Sequence, residues 1–343
     1  MLRISKIFFW AIVAVLLAWQ LPWLYNFFFA KSTKSPFTLY SSVIGDFAVI
    51  DFDEKDIIYT DLAGNIYTED EFDTVLPTFY CRQLMADGRF PDTICGVKVN
   101  PHQVQVENFH ARYSPSDINK PKIGLYALLE SMSGRVDLQM PDDVFRITNE
   151  GIEFIDMESN TINEQKSQRF TEMMLRKGFK FPATTLSGNP TDRKEYDEGY
   201  VILDAEHKLF HLKMTKGRPY CRAIELPEGM TAKHLFITEF SSRRMLALIS
   251  DTENGLWVVK RPTYEVVKTG VPSYNPETES IIIMGNMFDW TVGISDRESD
   301  RYYALDANDF SLLKSHTYDT PDSSIVGLTF TSYNDEFVRP RFE

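Results

Sequence analysis

Basic residues are in short supply: 36 Lys and Arg stand against 49 Asp and Glu among 343 residues, a formal net charge of -13. A surface of that sign repels phosphate backbones, which argues against nucleic acid as a partner. Cysteine is scarce too. None of Cys81, Cys95 and Cys221 lies in a CxxC or CxxCH context, so redox catalysis and haem attachment have no support. Phosphate-cradling motifs are missing, both GxxxxGK(S/T) and a GxGxxG between strand and helix, and so is a GxSxG nucleophile elbow. Of the six histidines only His207 and His211 are closely spaced. They fall in a hairpin turn and a strand, so they read as two solvated side chains and not as a helical metal half-site. The sequence therefore leans against an enzyme and implies no cofactor.

Acidic residues are absent from the first 36 positions, which carry only Arg3, Lys6, Lys31 and Lys34; the remainder holds 32 basic against 49 acidic residues, a net of -17. Between these basic flanks, Ile7 to Ala30 runs 24 residues without a charge. As a helix it would be about 36 Å long, enough for a hydrocarbon core of roughly 30 Å. Arg3 and Lys6 suit a cytoplasmic N-terminus, and Trp10, Trp19 and Trp23 suit anchoring at headgroup level. A cleaved secretory signal is the competing reading. Its best cleavage site, Ala30, has bulky Phe28 where a small residue should stand, so the expectation is an uncleaved anchor. Residues 1–36 are then cytoplasmic stub, anchor and linker, and 37–343 lie outside the cytoplasm. Cys81 and Cys95, 14 apart, are spaced to close a disulfide worth about 3 kcal/mol in that compartment. Buried free thiols are the alternative.

What the chain has is a folded body, 43% hydrophobic and 13% aromatic, with an internal repeat. YVILDAEHKLFHLK (Tyr200 to Lys213), LALISDTENGLWVVK (Leu246 to Lys260) and TVGISDRESDRYYAL (Thr291 to Leu305) each run apolar into an Asp, turn, and continue as a second strand. Asp204, Asp251 and Asp296 are spaced by 47 and 45. Third runs follow at Ala223 to Leu226, Tyr264 to Val267 and Phe310 to Leu313, and LFITEF (Leu235 to Phe240), SIIIM (Ser280 to Met284) and SIVGLTF (Ser324 to Phe330) recur as a fourth. Four short strands per period of about 45 residues match a β-propeller blade. Weaker copies of the hairpin are expected at Phe47 to Tyr67 and at Tyr126 to Leu138. Five blades are the preferred count. Six, or an open pair of sheets, is the alternative, because Gly96 to Phe109 reads as a further hairpin. The first hairpin lacks a preceding strand, so SIVGLTF is expected to pair with it and close the ring.

Two helical insertions are expected, near 68–91 and 156–182. Both end in Gly, Gly88 and Gly178, followed by Phe-Pro, and Thr68 with Glu71 forms a capping box. Pro77 must kink or start the first helix. The acidic run Asp51, Asp53, Glu54, Asp56 fails the EF-hand pattern, and Asp204, Asp251 and Asp296 are most simply read as caps of their own turns. The densest polar cluster is RQLMADGRFPD, in which Arg82 and Arg89 would share a helix face and, with Asp87 and Asp92, offer a carboxylate or a partner protein an interaction surface. A local salt-bridge set at the helix end is the alternative.

With DLAGNIYTEDEFD (Asp61 to Asp73), LPTFYCRQLMADGRFPD (Leu76 to Asp92) resembles an uncharacterised bacterial domain-of-unknown-function family from Gram-negative gut anaerobes. The resemblance covers most of the chain. It implies one N-terminal membrane helix, an envelope location and a link to transporters of the ATP-binding-cassette type, and it brings no catalytic residues. The combined expectation is an all-β, β-propeller-like periplasmic domain with helical insertions, held to the inner (cell) membrane by one transmembrane helix. Its partners would be the lipid bilayer and a membrane transporter subunit. An enzyme or sensor that acts on carbohydrate or peptide in the central channel is the alternative.

Overall fold

The computed structural model describes residues 2–29, 35–52, 56–119, 123–132, 134, 136–296, 299–319, 328–330 and 340–342. It starts with α1 (Leu2–Phe29), which runs unbroken through Pro22. Within it, Ile4–Tyr25 is long and apolar enough to cross a membrane, and none of its residues is buried.

Five sheet units follow. The first is the meander β1 (Phe37–Ser41), β2 (Asp46–Phe52), β3 (Ile57–Asp61) and β4 (Ile66–Tyr67). The inner strand expected to be missing here is β1, five residues that are too short to display a period. Of the acidic run, residues 53–55 lie outside the described residues.

The first insertion holds α2 (Glu69–Val75) and α3 (Cys81–Ala86), separated at Pro77, with the Thr68–Glu71 capping box formed. Then come β5 (Thr93–Ile94), β6 (Val97–Lys98), α4 (Pro101–Glu107), β7 (Phe109–Tyr113) and α5 (Pro115–Asn119). The hairpin expected over Gly96 to Phe109 is mostly helix. Asn100 caps it by accepting the Gln103 N–H at 2.8 Å, and Pro101 sits at its start. Those start signals outweigh the apolar alternation of QVQV.

The second unit is β8 (Asp143–Ile147) with β9 (Ile152–Asp156), flanked by bridges from Tyr126 to Phe145 and from Ile162 to Ile155. The hairpin is therefore not at Tyr126 to Leu138 but some twenty residues later. Next to it lies α6 (Glu164–Arg176), the second insertion. Both insertions stop in the same way. Gly88 and Gly178 adopt positive φ, and the N–H groups of Arg89 and Phe179 reach back to the carbonyls of Leu84 and Met174 at 2.8 and 3.0 Å.

Two meanders follow in chain order: β10 (Thr185–Gly188), β11 (Tyr200–Leu203), β12 (Leu209–Thr215), β13 (Arg218–Ile224), then β14 (Ala232–Ile237), β15 (Met245–Asp251), β16 (Leu256–Lys260), β17 (Val266–Lys268). The fifth unit is β18 (Ser280–Gly285), β19 (Asp289–Ser295), β20 (Ser299–Asp306) and β21 (Leu312–Asp319), to which β7 adds on the free edge of β18. Last come β22 (Leu328–Phe330) and β23 (Pro340–Phe342), which pair with each other. The strand SIVGLTF thus does not pair with the first sheet over its described part; 324–327 lie outside the described residues. The first and fifth units are joined instead by side chains. The Tyr40 N–H donates to Thr291 Oγ1 at 2.8 Å, Lys314 pairs with Asp46 at 2.6 Å, and the Ser42 hydroxyl donates to the Asp289 carboxylate.

Apolar faces fill the seams between units. Phe236, Leu248 and Val258 meet Ile281, Val292 and Leu305; Val201 and Leu209 meet Leu235 and Leu246; Phe145, Phe154 and Phe170 meet Tyr200, Phe210 and Leu212. Each such side chain contributes roughly 1.5–3 kcal/mol by leaving water. A meander alone leaves one face wet, and stacking against neighbours on both sides covers it. The described body is thus mostly β and propeller-like, with four sheets of four or five strands and the β8–β9 pair packed among them. The repeated Asp is a turn cap. Asp204 Oδ1 accepts the N–H groups of Glu206 and Lys208 at 2.8 and 2.9 Å, Asp251 Oδ1 those of Glu253 and Gly255 at 2.8 and 2.7 Å, and Asp296 Oδ1 that of Ser299 at 2.8 Å.

Candidate functional site

Among the polar residues singled out by sequence, Arg89 and Asp87 come together and Arg82 and Asp92 do not. The α3 helix ends at Ala86, so Arg89 lies beyond the stop made by Gly88 and shares no helix face with Arg82. Its guanidinium pairs with Asp87 at 2.7 Å, Asp73 at 3.0 Å and Asp70 at 3.2 Å, tying α2 to the end of α3. The hydrogen bond from Arg89, then that from Gln83, holds the Asp87 carboxyl below its ordinary range. Arg82 and Asp92 are exposed. Where the spacing had offered a disulfide, the structure has free thiols: Cys81 is buried on α3 beside Met85 Sδ, and Cys95 is exposed in the β5–β6 turn. Trp10, Trp19 and Trp23 are exposed on α1.

A buried polar cluster that sequence reasoning missed lies in the seam between the third and fourth sheets. His211, expected to be solvated, is 0% exposed on β12. Its Nδ1 meets the Tyr264 hydroxyl at 2.9 Å and its Nε2 the Glu198 carbonyl at 2.6 Å. Burial, opposed by the Glu198 hydrogen bond, pushes the imidazole from 6.5 down to about 4, so it stays neutral. The Glu198 carboxylate takes Lys213 at 3.0 Å and Arg261 at 3.2 Å. Beside it, Lys194 bridges Asp197 at 2.7 Å and Glu239 at 2.6 Å, and Glu239 also accepts the Glu198 N–H at 2.7 Å. Gly199 lets the chain pass here: its φ is +67°, and a Cβ would meet the Leu212 carbonyl at 2.3 Å. Three carboxylates face three cations. The signal available in the sequence was His211 and Lys213 on one face of a strand whose other face, Phe210 and Leu212, is apolar.

The central cavity has the opposite character. It holds about 670 Å³ and lies among β7, α5, β10, β14 and Tyr126. Its apolar wall includes Leu186, Tyr126 and Phe236, and its charged and imidazole groups are Arg112, Asp117, Lys233 and His234. The inner strand of the fourth sheet starts three residues earlier than LFITEF, which brings Lys233 and His234 to the cavity. The inner edge of SIIIM is covered by β7, paired Arg112 to Ile282, and β7 brings Arg112. Tyr113 holds β7 in place: its hydroxyl donates to the Ile237 carbonyl at 3.2 Å and its ring lies 4.5 Å from that of Phe236. Among the described residues, no three His, Cys, Asp or Glu side chains converge as a metal site.

Three solved propeller domains are similar to the chain. The WD40 domain of SCAP from fission yeast is 8% identical, with 87% of this chain and 76% of that one covered and a TM-score of 0.33. The Dos1 propeller is 11% identical, with 84% and 63% covered and a TM-score of 0.29, so the chain spans less than two thirds of that propeller's length. The β-propeller domain of Cps50 (Swd1) from Myceliophteria thermophila is 9% identical, with 87% and 90% covered and a TM-score of 0.27. The propeller-like assignment rests on the five sheet units themselves. No curated protein matches. A family model covers residues 37–305, from the first strand of the first sheet into the third strand of the fifth, and by that match the chain belongs to the family described as "Domain of unknown function (DUF4857)".

Proposed function

We propose that the chain is a single-pass protein of the inner (cell) membrane, anchored by α1, whose body over 37–343 lies in the periplasm as a non-enzymatic binding platform for another envelope component. One observation carries this reading: α1 offers a 22-residue apolar span, Ile4–Tyr25, none of which is buried by the body. An apolar surface of that length is stable in water only if something else covers it, and lipid does so. Arg3 ahead of it and Lys6 at its start favour a cytoplasmic N-terminus. A platform role is supported by the seam cluster, where buried titratable groups bind each other and hold sheets together. The family resemblance points to a transporter subunit as the partner.

The test is fractionation of the full chain against a Leu16→Arg variant. A charge in the middle of the span costs roughly 2.5–3.5 kcal/mol of insertion, so the variant is expected to leave the membrane fraction. Equal partition of both chains would refute the anchor. Purification of the wild-type chain in mild detergent then decides the platform: a stoichiometric transporter subunit is expected, and recovery of the chain alone refutes that partner.

A further inference from the structure

We propose that the central cavity is a binding site for an organic carboxylate with an apolar body of about the size of an aromatic ring. A volume of about 670 Å³ is in the range of small-ligand sites. Within a body of net charge -17, the basic side chains lining the cavity are Arg112, Lys233 and His234, against one carboxylate, Asp117. The acceptors nearby are already in use. The Asp117 carboxylate takes the Ser114 N–H at 2.8 Å and the Ser114 hydroxyl at 3.0 Å. Glu277 takes both Lys233 at 2.8 Å and His234 at 3.2 Å. The Arg112 side chain, by contrast, makes no hydrogen bond or ion pair with any described residue, and its planar guanidinium has five donors to offer. Donors in excess of acceptors call for a ligand that brings acceptors, and the guanidinium fork fits a carboxylate edge-on.

The rest of the wall selects the body of that ligand. Tyr126, Phe236 and Leu186 present rings and aliphatic carbon beside the cationic end. Such a surface favours an apolar group attached to the acid. The backbone that carries Arg112 is fixed in place: β7 is paired along β18, and Tyr113 ties it to β14.

The experiment uses the full chain in mild detergent, with N-acetylphenylalanine, its carboxamide and phenyl phosphate as probes, and calorimetry with thermal unfolding as readouts. The acid is expected to bind about tenfold or more tighter than the amide. Arg112→Met, which keeps most of the aliphatic stem, is expected to abolish that preference while its ligand-free melting temperature stays that of the wild type. Equal binding of acid and amide overturns the proposal, as does no binding of the acid up to about 10 mM. So does a preference that survives in Arg112→Met. Phenyl phosphate bound in place of the acid, and lost with Arg112, overturns the carboxylate in favour of a phosphate ester.

Discussion

Asn189 donates to Glu239 in the seam, while Gly188 and Pro190 on either side of it line the central cavity, so the two polar regions of the molecule are neighbours and can be compared directly. Both are rich in Arg, Lys and carboxylates. In the seam every charge has an opposite charge within about bonding distance, and His211, Tyr264 and the Glu198 main chain absorb the remaining donors and acceptors. In the cavity the carboxylates are spent on local partners and a guanidinium is left over. Burial of charge is therefore a poor marker of function by itself. A saturated cluster specifies how sheets dock, and an unsaturated one beside empty volume specifies what else binds.

The largest effect that tests this difference comes from cutting the seam. Glu198→Ala would leave Lys213 and Arg261 without their shared carboxylate, and stability is expected to fall by roughly 3–5 kcal/mol. Urea unfolding of the wild type and variant measures it. A loss below about 1 kcal/mol would mean that water already reaches the cluster, and the contrast with the cavity would collapse.

Next is Asp251, whose cost should follow the number of partners it strands. It is buried, and besides two turn N–H groups it accepts the Trp257 indole N–H at 2.7 Å. Asp251→Ala is expected to cost about 1–3 kcal/mol. Asp296 is exposed, so water replaces what its Ser299 turn and its 3.5 Å pair with Arg301 lose, and Asp296→Ala should cost less; equal losses in unfolding midpoint would break the rule.

These Asp turns were also the part of the fold most open to reading from the chain, and the reason is physical. An Asx cap, a helix stop at Gly88 or Gly178 and the capping box at Thr68 are each decided within five residues, so the residues that make them sit together in sequence. The strand β7 is the reverse case. Its pairing of Arg112 with Ile282 joins segments about 170 residues apart, and nothing local to HARY announces it. His211 was misjudged for the same reason: the Tyr264 and Glu198 that cover it come from distant segments of the chain. Both regions compared above therefore escaped the sequence, whereas the repeat that frames them did not.

The comparison can be sharpened with pH, because the seam and the joint between the first and fifth sheets titrate in opposite senses. His211, pushed down to about 4, refuses a proton that the unfolded chain accepts near 6.5, so its contribution to stability is full above that value and is lost as pH falls through about 4. Burial, countered by hydrogen bonds from Ser42 and Asn286, raises Asp289 from 3.8 to about 6. The folded state then takes the proton first, so that contribution is full below 3.8 and is lost as pH rises through about 6. Between these limits the two slopes oppose each other, each reaching at most about 1.4 kcal/mol per pH unit. Stability of His211→Gln is expected to fall more steeply with rising pH than that of the wild type, and stability of Asp289→Asn to fall more steeply with acid. Parallel curves for all three chains, by urea midpoints at successive pH values, would show that neither group is desolvated when folded.

The smallest expected effect is the most informative about the cavity. Arg112 has no described partner to strand, and its loss removes no buried contact of the kind that Glu198 makes. Arg112→Met should therefore change the unfolding free energy by about 0.5 kcal/mol or less, the usual range for a surface site. If the guanidinium were structural, the same substitution would act like Glu198→Ala and lower stability by several kcal/mol, because β7 would lose its hold on the centre of the molecule. A measured change near zero keeps Arg112 available to a ligand, and a large loss would move it from the cavity's account to the seam's.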